Sequence, residues 1–479
     1  MTNKLVLGTT DDQGQLYAVE TFTLDQSVPL CVTVEADGVK WSNLLIRDPK
    51  HRLRAQILDV GKQEWYRISD IIATTSPQAI PGEMIMGDWQ LEISIQSAPH
   101  SEVSFIWKQD ETDLPAHNYA SIKLEDIEEQ ISHMSSGPKW YKCDMHTHTT
   151  MSDGKMMMRD NQRQAQKMLL DFYVATDHNI TPSSWLVGED LPVVFPGIEV
   201  TSPLGHFNLL FANDYIFNHH DLADMNTPEG FYGIIETIKT KNMGLFSINH
   251  PFLTVWKWLL MDVPLAWVDS IEIINDPTYA ANGPANLQTL KFWFGLLSDG
   301  HRIPIVGGSD SHLRPDDRYE GSVFPSVIGD PGTYIYSESL QSQDLMASIR
   351  QGHVVVSRFG FLNVEFGQWM AGDQISEDMI DDTLKIVSTY ECTESSIASR
   401  VELVLDGEVI ESSTRTDNEW DIEKERLNEG YHWLVVTVYD DETGDLLSVT
   451  NPLYIGEKEP SLTLWQDALM LVPDSTSNT

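Results

Sequence analysis

Between Lys139 and about residue 360, short apolar runs alternate with longer stretches of helical periodicity. Strands are predicted at 141–145, 172–176, 193–195, 207–211, 243–248, 270–274 and 303–306, and helices at 159–170, 228–241, 284–297 and 340–350. Such alternation is typical of βαβ units, because parallel strands need a crossover connection. Residues 139–360 are therefore predicted to be an α/β domain with a largely parallel sheet, open or closed into a barrel.

Strand-like runs occupy the chain on both sides of this segment. Residues 1–135 contain runs at 17–22, 30–35, 54–58 and 89–95 with turn dipeptides between them, which predicts an antiparallel β-sandwich. Residues 361–458 predict a second all-β domain, from runs at 385–390, 400–405 and 431–439. The polar segment 133–138 is the predicted linker, and residues 459–479 are expected to be a partly ordered tail.

Two histidines stand at the end of the first predicted strand of the α/β segment. His146 and His148 are two residues apart, so on a strand they face the same side, about 6.6 Å apart along the chain. Both imidazoles could therefore reach one ion, and Asp153 in the following loop could meet a second. Taken alone, a pair of this spacing is more often a surface or capping pair, and Asp153-Gly154 could be a plain turn.

The ends of later predicted strands repeat this arrangement. The residues concerned are Asp177 and His178, Glu199 and His206, His250, and Asp310 and His312. Because the carboxyl ends of parallel strands form one face, these side chains are expected to meet in one pocket. Imidazole with carboxylate suits Zn, Mn, Fe or Co, whereas an all-oxygen set would indicate Mg or Ca. Their number predicts two or three divalent transition-metal ions (Zn, Mn or Fe).

The motifs His-x-His, Ser-Asp-Gly, Thr-Asp-His, Gly-x-Glu, Asn-His-Pro and Ser-Asp-x-His occur in this order and resemble those of the PHP (polymerase and histidinol phosphatase) metallohydrolases. The Gly-Ile-Glu-Val to Gly-His-Phe spacing, the β-rich flanks and the Thr-Asn-Pro-Leu-Tyr run at 450–454 resemble the carbaryl-hydrolase-type branch, often called CehA/McbA. The resemblance covers about 139–360, and it implies a distorted (β/α)7 barrel with a three-metal centre, flanked by all-β domains.

The resemblance also implies which residues bind each ion. One ion would be bound by His146, His148, Glu199 and Asp310. Glu199 would bridge to a second ion held by His206 and His250, and Asp153, His178 and His312 would hold a third. Asp153 stands where many relatives have histidine, a substitution that some members share. Asp177 is expected to orient or cap its neighbours rather than to ligate, since ligating imidazoles usually give their second N–H to a carboxylate or carbonyl.

Such a centre predicts hydrolysis by a nucleophile derived from water. Bridged metals lower the pKa of a shared water toward neutrality, which makes metal-bound hydroxide available to attack a small ester. Asp310 is the first candidate for handling the proton of the nucleophile, and His178 or His312 is the candidate if the third ion is absent. The chain has no Gly-x-Ser-x-Gly elbow and no cysteine in a Cys-Gly-Ser-Cys-Trp context, so a covalent nucleophile is not favoured.

Candidate substrate contacts follow the strand at 270–274 and the last predicted ligands. They are Asn275, Tyr279 and three arginines that could clamp an anion, Arg314, Arg318 and Arg358. Surface ion pairing explains the arginines equally well. The arginines and the wider superfamily slightly favour a phosphoester, whereas the subfamily resemblance and the tryptophans at 256, 258, 267 and 293 favour a carbamate or carboxylic ester. From another class, the chain could be a non-catalytic binding or scaffold protein, although its ligand set is complete.

The charge of the chain limits its partners. With 72 Asp and Glu against 31 Lys and Arg, the formal net charge is -41, which repels nucleic acid and anionic membranes. An acidic surface adapted to a salty or alkaline environment explains the charge equally well. No apolar leader or membrane-spanning run is present, and three scattered cysteines indicate no disulfide framework. A cytoplasmic protein that acts on a small molecule, alone or as a homo-oligomer, is expected. His219 and His220, in a polar loop, are expected to be solvated.

Overall fold

A computed structural model of the chain describes residues 2–58, 60, 64–71, 74–76, 78–110, 124–134, 137–180, 191–214, 216, 225–427 and 430–471. The fold is mixed α/β, with many strands in five sheets and few helices. None of the helices in this part of the chain combines the length and the apolar character that crossing a membrane requires. His219 and His220, residues 135–136 of the expected linker and residues 472–479 of the expected tail lie outside the described residues.

The N-terminal part of the chain consists of two four-stranded antiparallel sheets. Its strands are β1 (Thr2–Thr9), β2 (Gln15–Leu24), β3 (Leu30–Glu35), β4 (Trp41–Arg47), β5 (Leu53–Leu58), β6 (Tyr66–Ile68), β7 (Gly87–Gln96) and β8 (Glu102–Gln109). The sheet orders are β1-β8-β3-β6 and β2-β7-β4-β5. Alternate residues of each strand face inward, as Trp89, Leu91 and Ile93 do in β7, so that the two sheets share one core.

The middle part of the chain alternates strands with helices. The strands are β9 (Lys139–Asp144), β10 (Phe172–Ala175), β11 (Val193–Pro196), β12 (Ile198–Ser202), β13 (Gly205–Leu210), β14 (Leu245–Ile248), β15 (Ser270–Asn275), β16 (Ile305–Gly308), β17 (Gly332–Ser337) and β18 (Val354–Ser357). The helices are α1 (Leu124–Ser132), α2 (Met158–Lys167), α3 (Pro228–Lys241), α4 (Asn282–Asp299) and α5 (Ser342–Gln351). Local signals set their ends: the Thr227 side chain caps α3, and Gly300 ends α4 in the left-handed conformation.

The strands of this segment are less parallel than their alternation with helices predicted. Strands β9, β10 and β11 pair in parallel, as do β14, β15 and β16. Strands β12, β13 and β14 pair antiparallel, as do β9, β17 and β18. One cause is the two-residue connection 203–204 between β12 and β13, which is long enough only for an antiparallel hairpin. The expectation of a largely parallel sheet is therefore wrong for half of these ladders.

The middle strands are divided between two sheets. One has the order β12-β13-β14-β15-β16, and an eleven-stranded sheet includes β11-β10-β9-β17-β18. Over the residues described here, no continuous ladder joins these two sheets into the closed barrel that the resemblance implied. They meet at the carboxyl ends of the strands, where isolated bridges pair Thr147 with Ser311 and His178 with Glu199. Most of the predicted metal ligands follow these strand ends, while Glu199 and His206 lie near the starts of β12 and β13.

The eleven-stranded sheet continues into the C-terminal part of the chain. The remaining strands are β19 (Gly360–Phe366), β20 (Gln374–Ile375), β21 (Thr383–Cys392), β22 (Ser399–Leu405), β23 (Glu408–Ser413), β24 (Asp417–Glu423), β25 (His432–Asp440), β26 (Leu446–Thr450) and β27 (Leu453–Ile455). Strand β18 pairs with β26, so the sheet crosses the domain boundary predicted near residue 360. A separate sheet, β19-β21-β24, packs on it through a shared core.

Within the predicted, partly ordered tail at 459–479, helix α6 (Trp465–Leu469) packs against the middle part of the chain. Trp465 is buried, with ring centroids 4.7 Å from Phe292 and 6.3 Å from Trp258. Its backbone N–H donates to the Val263 carbonyl at 2.9 Å. A large aromatic side chain gains enough from burial to anchor a chain end in this way.

Candidate metal centre

The histidines and carboxylates singled out in the sequence converge at one end of the middle strands. His146 and His148 follow β9, His178 follows β10, Glu199 lies in β12, His206 in β13, His250 follows β14, and Asp310 and His312 follow β16. Left-handed backbone at His250 (φ 26°) and Asp310 (φ 46°) turns the chain sharply at two of these ends. A Cβ atom at Gly308 would lie 2.2 Å from His146 Cβ, so glycine is what allows β16 to approach this histidine.

Glu199 lies at the centre of the cluster, and its two carboxylate oxygens face different histidines. The Oε2 atom is 3.2 Å from His146 Nε2, 3.3 Å from His148 Nε2 and 2.8 Å from His178 Nδ1. The Oε1 atom is 3.0 Å from His206 Nδ1 and 3.5 Å from His250 Nε2. A carboxylate between two groups of imidazoles has the arrangement expected of a ligand that bridges two ions.

Asp310 lies beside the first histidine pair. Its Oδ1 atom is 2.8 Å from His148 Nε2 and 3.3 Å from His146 Nε2. Its Oδ2 atom accepts a hydrogen bond from Asn275 Nδ2 at 3.2 Å. Asp310 and Glu199 thus both contact these two imidazoles, and Asn275 holds Asp310 in place.

Asp153 lies among a further group of imidazoles. Its Oδ1 atom is 3.2 Å from His312 Nε2, 3.5 Å from His178 Nε2 and 4.0 Å from His148 Nδ1. The loop that follows His148 therefore folds back and brings Asp153 near the His148 ring. The sequence predicts that Asp153 binds a different ion from the one that His146 binds.

Asp177 holds the loop that carries Asp153. One of its oxygens accepts hydrogen bonds from the Thr149 N–H at 2.7 Å and the Ser152 hydroxyl at 2.6 Å, and the other accepts from the Thr149 hydroxyl at 2.8 Å. Both oxygens are thereby engaged, and Asp177 belongs to none of the compact ligand groups found among the described residues. The expectation that it caps its neighbours is confirmed.

Three sets of these side chains are compact enough to hold an ion each. Within each set the ligand atoms lie within 4.8 Å of one another, and the sets are His148, Asp153, His178 and His312; His146, His148 and Glu199; and His178, Glu199 and His206. His148 and His178 each belong to two sets, so the groups are less separate than the resemblance implied. His250 joins no set, although its Nε2 atom is close to Glu199. The assignment of each residue to a particular ion stays a prediction.

Several polar atoms at the centre of the cluster have no hydrogen-bond partner in the described part of the chain. They are His146 Nε2, both ring nitrogens of His148, Asp153 Oδ1, Glu199 Oε2, His250 Nδ1 and Asp310 Oδ1. A buried polar atom without a partner costs about 1–3 kcal/mol, so seven of them in one place need a compensating ligand. Nitrogen and carboxylate oxygen are donors that divalent transition metals take. The residues present therefore fit metal ions.

The pKa shifts of the cluster histidines differ in direction, since neighbouring carboxylates outweigh burial and raise the pKa of His146, His178 and His312. Burial lowers the pKa of His148 to about 3 and that of His206 to about 4. Burial alone would raise the pKa of Glu199, but the surrounding imidazoles, His146 first, outweigh it and hold that pKa well below its ordinary value. Glu199 is thus ionised and the two histidines are neutral, which are the states that metal ligands need.

Glu272 is a member of the site that the sequence analysis missed. It is buried in β15; its Oε1 atom accepts from His146 Nδ1 at 2.9 Å, and its Oε2 atom accepts from the His250 N–H at 3.0 Å. An imidazole that gives its second N–H to a carboxylate is fixed in orientation and tautomer, so Glu272 directs His146 Nε2 toward Glu199. The signal in the sequence is a single acidic residue among the isoleucines of β15.

Asp144 is a second residue that was missed. Its Oδ1 atom accepts from the N–H groups of His146 and Ser309, each at 3.0 Å, and its Oδ2 atom accepts from the Gly329 N–H at 2.7 Å. Burial raises the pKa of Asp144 to about 6, although these hydrogen bonds oppose the shift. The carboxylate ties the end of β9 to the segment after β16, which keeps two groups of ligands in register.

The predicted substrate contacts differ in their surroundings. Asn275 is fully buried, and its Nδ2 atom donates to Glu272 at 3.1 Å as well as to Asp310. Its amide therefore positions carboxylates instead of facing a substrate, contrary to expectation. Tyr279 is half-buried and packs edge-on against Tyr319, with ring centroids 5.3 Å apart. Arg314 and Arg318 are exposed on the segment after His312, where Arg318 donates to the Val323 carbonyl.

Arg358 is not available as the anion clamp that the sequence suggested. Its side chain is 5% exposed, and its Nε and Nη2 atoms donate to the two oxygens of Asp330 at 3.0 and 2.9 Å. The guanidinium also lies over the Phe359 ring, 4.4 Å from the centroid. Arg358 directly follows β18, and packing against the C-terminal sheets encloses it. Its role is a buried ion pair.

The substitution Arg358→Met is expected to lower the free energy of unfolding by about 3 kcal/mol, because it leaves Asp330 buried without its partner. Urea unfolding followed by fluorescence measures this loss. The control Arg318→Met, at an exposed arginine, should change stability by less than about 0.5 kcal/mol. An Arg358→Met protein of normal stability but with raised KM for anionic esters alone would show that Arg358 does bind substrate.

Of the tryptophans noted in the sequence, Trp256 lies beside the cluster. Its ring centroid is 6.4 Å from that of His206, and the side chain is 44% exposed. Trp258 and Trp293 are buried in the core, and Trp267 packs on Tyr232 at 5.3 Å. One exposed aromatic ring therefore borders the candidate centre.

Comparison with protein-family models and with curated proteins gives no match. Among solved structures, a two-domain protein containing a predicted PHP-like metal-dependent phosphoesterase from Bacteroides vulgatus is 16% identical, over 66% of this chain and 96% of that chain, with a TM-score of 0.35. Fibronectin(III)-like modules of CbhA from Clostridium thermocellum are 18% identical, over 32% of this chain and 76% of that chain, with a TM-score of 0.16. A β-glucuronidase from Parabacteroides merdae is 8% identical, over 95% of this chain and 66% of that chain, with a TM-score of 0.18. These scores are too low to carry an argument about this chain, whose own geometry shows buried histidine and carboxylate clusters able to hold metal ions.

Proposed function

We propose that this chain is a metal-dependent hydrolase that uses a di- or trinuclear centre to cleave a small ester. The observation that carries the proposal is the set of seven buried polar atoms without hydrogen-bond partners in the described residues, in a cluster where one carboxylate faces histidines through both oxygens. Bound divalent ions would lower the pKa of a water molecule and neutralise charge on the attacked group. Zinc, manganese and iron suit this donor set.

The residues of the chain itself have separable roles in this proposal. Glu199 supplies both carboxylate oxygens to the centre. Asp310 Oδ1, 2.8 Å from His148 Nε2, is the proposed acceptor of the proton of the nucleophile, and Asn275 keeps it in position. His178 and His312, on either side of Asp153, are the alternative acceptors. Because second contacts hold the ligands before substrate arrives, little reorganisation is needed during reaction.

The proposal extends to the fold and the family. Strands β9 and β10, the consecutive strands β11 and β12 counted as one, and β13 to β16 would form the distorted seven-stranded barrel of the PHP type, and the isolated bridges at Thr147 and His178 support this closure. The ordered ligand motifs support membership of the PHP family, and the flanking β domains (1–135 and 361–458) around the 139–360 barrel support its CehA/McbA branch. The net charge of -41 supports a small-molecule substrate and opposes binding to nucleic acid or membranes. Three free cysteines without a disulfide pattern favour a reducing, cytoplasmic location.

The bond that is cleaved is the less constrained part of the proposal. A phosphoester is slightly favoured, since Arg314 and Arg318 are exposed on the segment after His312 and suit an anionic group. Because Arg358 is buried in an ion pair with Asp330 and does not face the site, the preference for a phosphoester is weaker than the sequence indicated. A carbamate or carboxylic ester is the second candidate, and Trp256 favours it because an exposed ring beside His206 suits an aromatic leaving group.

Metal content and hydrolysis test the proposed function together. Elemental analysis of the purified protein should find about two to three transition-metal equivalents, as expected for a multinuclear site. Hydrolysis of p-nitrophenyl phosphate, bis-p-nitrophenyl phosphate or 1-naphthyl methylcarbamate should disappear after chelation and return with Zn²⁺ or Mn²⁺. Less than one equivalent would contradict the multinuclear centre. A metal-loaded protein as inactive on this panel as His148→Ala would favour a binding or scaffold protein.

A further inference from the structure

The N-terminal sandwich packs against the segment that carries the candidate metal centre. Leu45 in β4 and Leu53 in β5 belong to the same core as Val200 in β12 and Phe207 in β13. Val200 and Phe207 directly follow Glu199 and His206 in the sequence. The β4–β5 side of the outer face of the sheet β2-β7-β4-β5 is therefore covered by the middle part of the chain, and polar side chains on that side are placed near the site.

Gln56 lies on this outer face and reaches the strand end that carries His178. Its Oε1 atom accepts a hydrogen bond from Asn179 Nδ2. Asn179 has a left-handed backbone (φ 47°), and its side chain also donates to the Thr201 carbonyl at 3.0 Å and accepts from the Thr201 N–H at 2.9 Å. The Thr201 hydroxyl oxygen is 2.5 Å from His178 Nδ1. A chain of hydrogen bonds thus links the sandwich to the ring of a predicted ligand.

Gln78 makes a parallel contact with the loop that carries Asp153. Its Nε2 atom donates to the Met151 carbonyl at 2.6 Å, two residues before Asp153. The two glutamines are adjacent, since the Gln56 N–H donates to the Gln78 carbonyl at 3.1 Å. Both side chains are buried, at 6% and 7% exposure. One rigid patch of the sandwich therefore contacts both chain segments that bring Asp153 and His178 together.

We propose that the N-terminal sandwich is a working part of the metal centre, in which Gln56 and Gln78 are positioning residues for the ion group formed by Asp153, His178 and His312. The inference rests on the proposed function. Asp153 and His178 come from different loops, and their 3.5 Å separation depends on how these loops are held. Neither glutamine touches a ligand atom, so each acts through the backbone or side chain of a neighbour. Groups hydrogen-bonded directly to a ligand typically change metal affinity by about 10–100-fold, and the two glutamines, one contact further out, are expected at the lower end of that range.

The other ligand groups have supports that do not involve the sandwich. Glu272 holds His146 from β15, and Asn249 Nδ2 donates to Glu199 Oε1 at 2.9 Å. Loss of the glutamine contacts should therefore weaken one ion selectively. If the sandwich only stabilised the fold, the glutamine substitutions would instead weaken the binding of all ions together, because they would lower the stability of the whole protein.

The test is Zn²⁺ titration of the metal-free full-length protein, by calorimetry and by equilibrium dialysis with elemental analysis. The variants are Gln56→Met, Gln78→Met and the double variant, which keep side-chain length and remove the amide. The double variant is expected to bind one zinc equivalent at least tenfold more weakly, with the other equivalents unchanged. Gln15→Met, at an exposed glutamine of the same sandwich, is the matched control and should bind zinc like the wild type.

Combining a glutamine substitution with the loss of Asp153 identifies which ion is affected. In Asp153→Ala the same ion is already weakened, so adding Gln56→Met should change no remaining zinc affinity, as expected when two residues act on one site. Unchanged zinc binding in the double variant would overturn the inference, and so would equal weakening of all equivalents with a lower unfolding temperature. Wild-type protein that binds less than one equivalent would overturn the metal centre and this inference with it. Zinc binding by the wild type without hydrolysis, combined with selective loss in the variants, would reject only the hydrolase and support the positioning role.

Discussion

Glu199→Gln is expected to remove most of the bound metal and to lower kcat/KM for any hydrolysed ester by about ten-thousandfold, equivalent to about 5.5 kcal/mol of transition-state stabilisation. The amide keeps the size of the side chain but loses its charge, and its nitrogen has no lone pair to offer an ion. Since the two carboxylate oxygens of Glu199 face separate groups of imidazoles, either orientation of the amide leaves one group without its shared ligand. No other single substitution in the cluster affects so many contacts.

Elemental analysis and steady-state kinetics on the same preparation measure this effect. Glu402→Gln is the matched control, because Glu402 is also buried but lies in β22, where it pairs with Arg400. The control should keep its metal and its activity. A Glu199→Gln protein with wild-type metal content would show that Glu199 does not bridge ions, and the roles proposed for His206 and His250 would then need revision.

Most of the predicted ligands could be found in the sequence because they stand at or shortly after the end of an apolar run. That local pattern was enough for residues as far apart as His146 and Asp310, which the structure brings to 3.3 Å. Glu272 and Asp144 are harder to recognise in the sequence. Each lies inside a strand or at its end, and its importance appears only once the histidine that it contacts is known, since nothing local identifies the partner.

Tertiary packing accounts for the remaining differences. Arg358 looks like a free cation in the sequence because its partner, Asp330, is 28 residues away and joins it only when β17 pairs with β18. Trp465 lies in a stretch that reads as a tail, and the core that buries it is built from distant segments. The mixed strand directions have a local cause in the short connection after β12, which periodicity alone does not detect.

The role proposed for Gln56 and Gln78 also depends on tertiary packing that the sequence does not reveal. Both are ordinary polar residues in a β-rich segment, and Gln56 lies on a strand face that would be solvent-exposed in an isolated sandwich. Only the packing of Leu45 and Leu53 into the core of the middle segment turns that face toward the site. A pattern confined to one domain carries no information about a contact that two domains make.

Asp310→Asn separates metal binding from chemistry within the same cluster. The variant is expected to keep most of its metal, because the amide oxygen can take the place of Oδ1 beside the ion, although the amide nitrogen then faces Asn275 Nδ2 and that hydrogen bond is lost. Hydrolysis should nevertheless fall by about a thousandfold, or about 4 kcal/mol, since an amide cannot take a proton from the nucleophile. The effect should lie in kcat, with KM little changed, if the interaction is made only in the transition state.

The comparison that decides between proton acceptors is Asp310→Asn against His312→Gln. If Asp310 accepts the proton, His312→Gln should weaken one ion while metal-saturated protein keeps kcat within about tenfold of wild type, a loss typical of a residue outside the chemical step. If instead metal-saturated His312→Gln loses kcat and Asp310→Asn retains it, the proton passes through the histidine that contacts Asp153. In that case the group held by the N-terminal sandwich would be the one that performs the chemistry, and the positioning glutamines would control turnover as well as metal affinity.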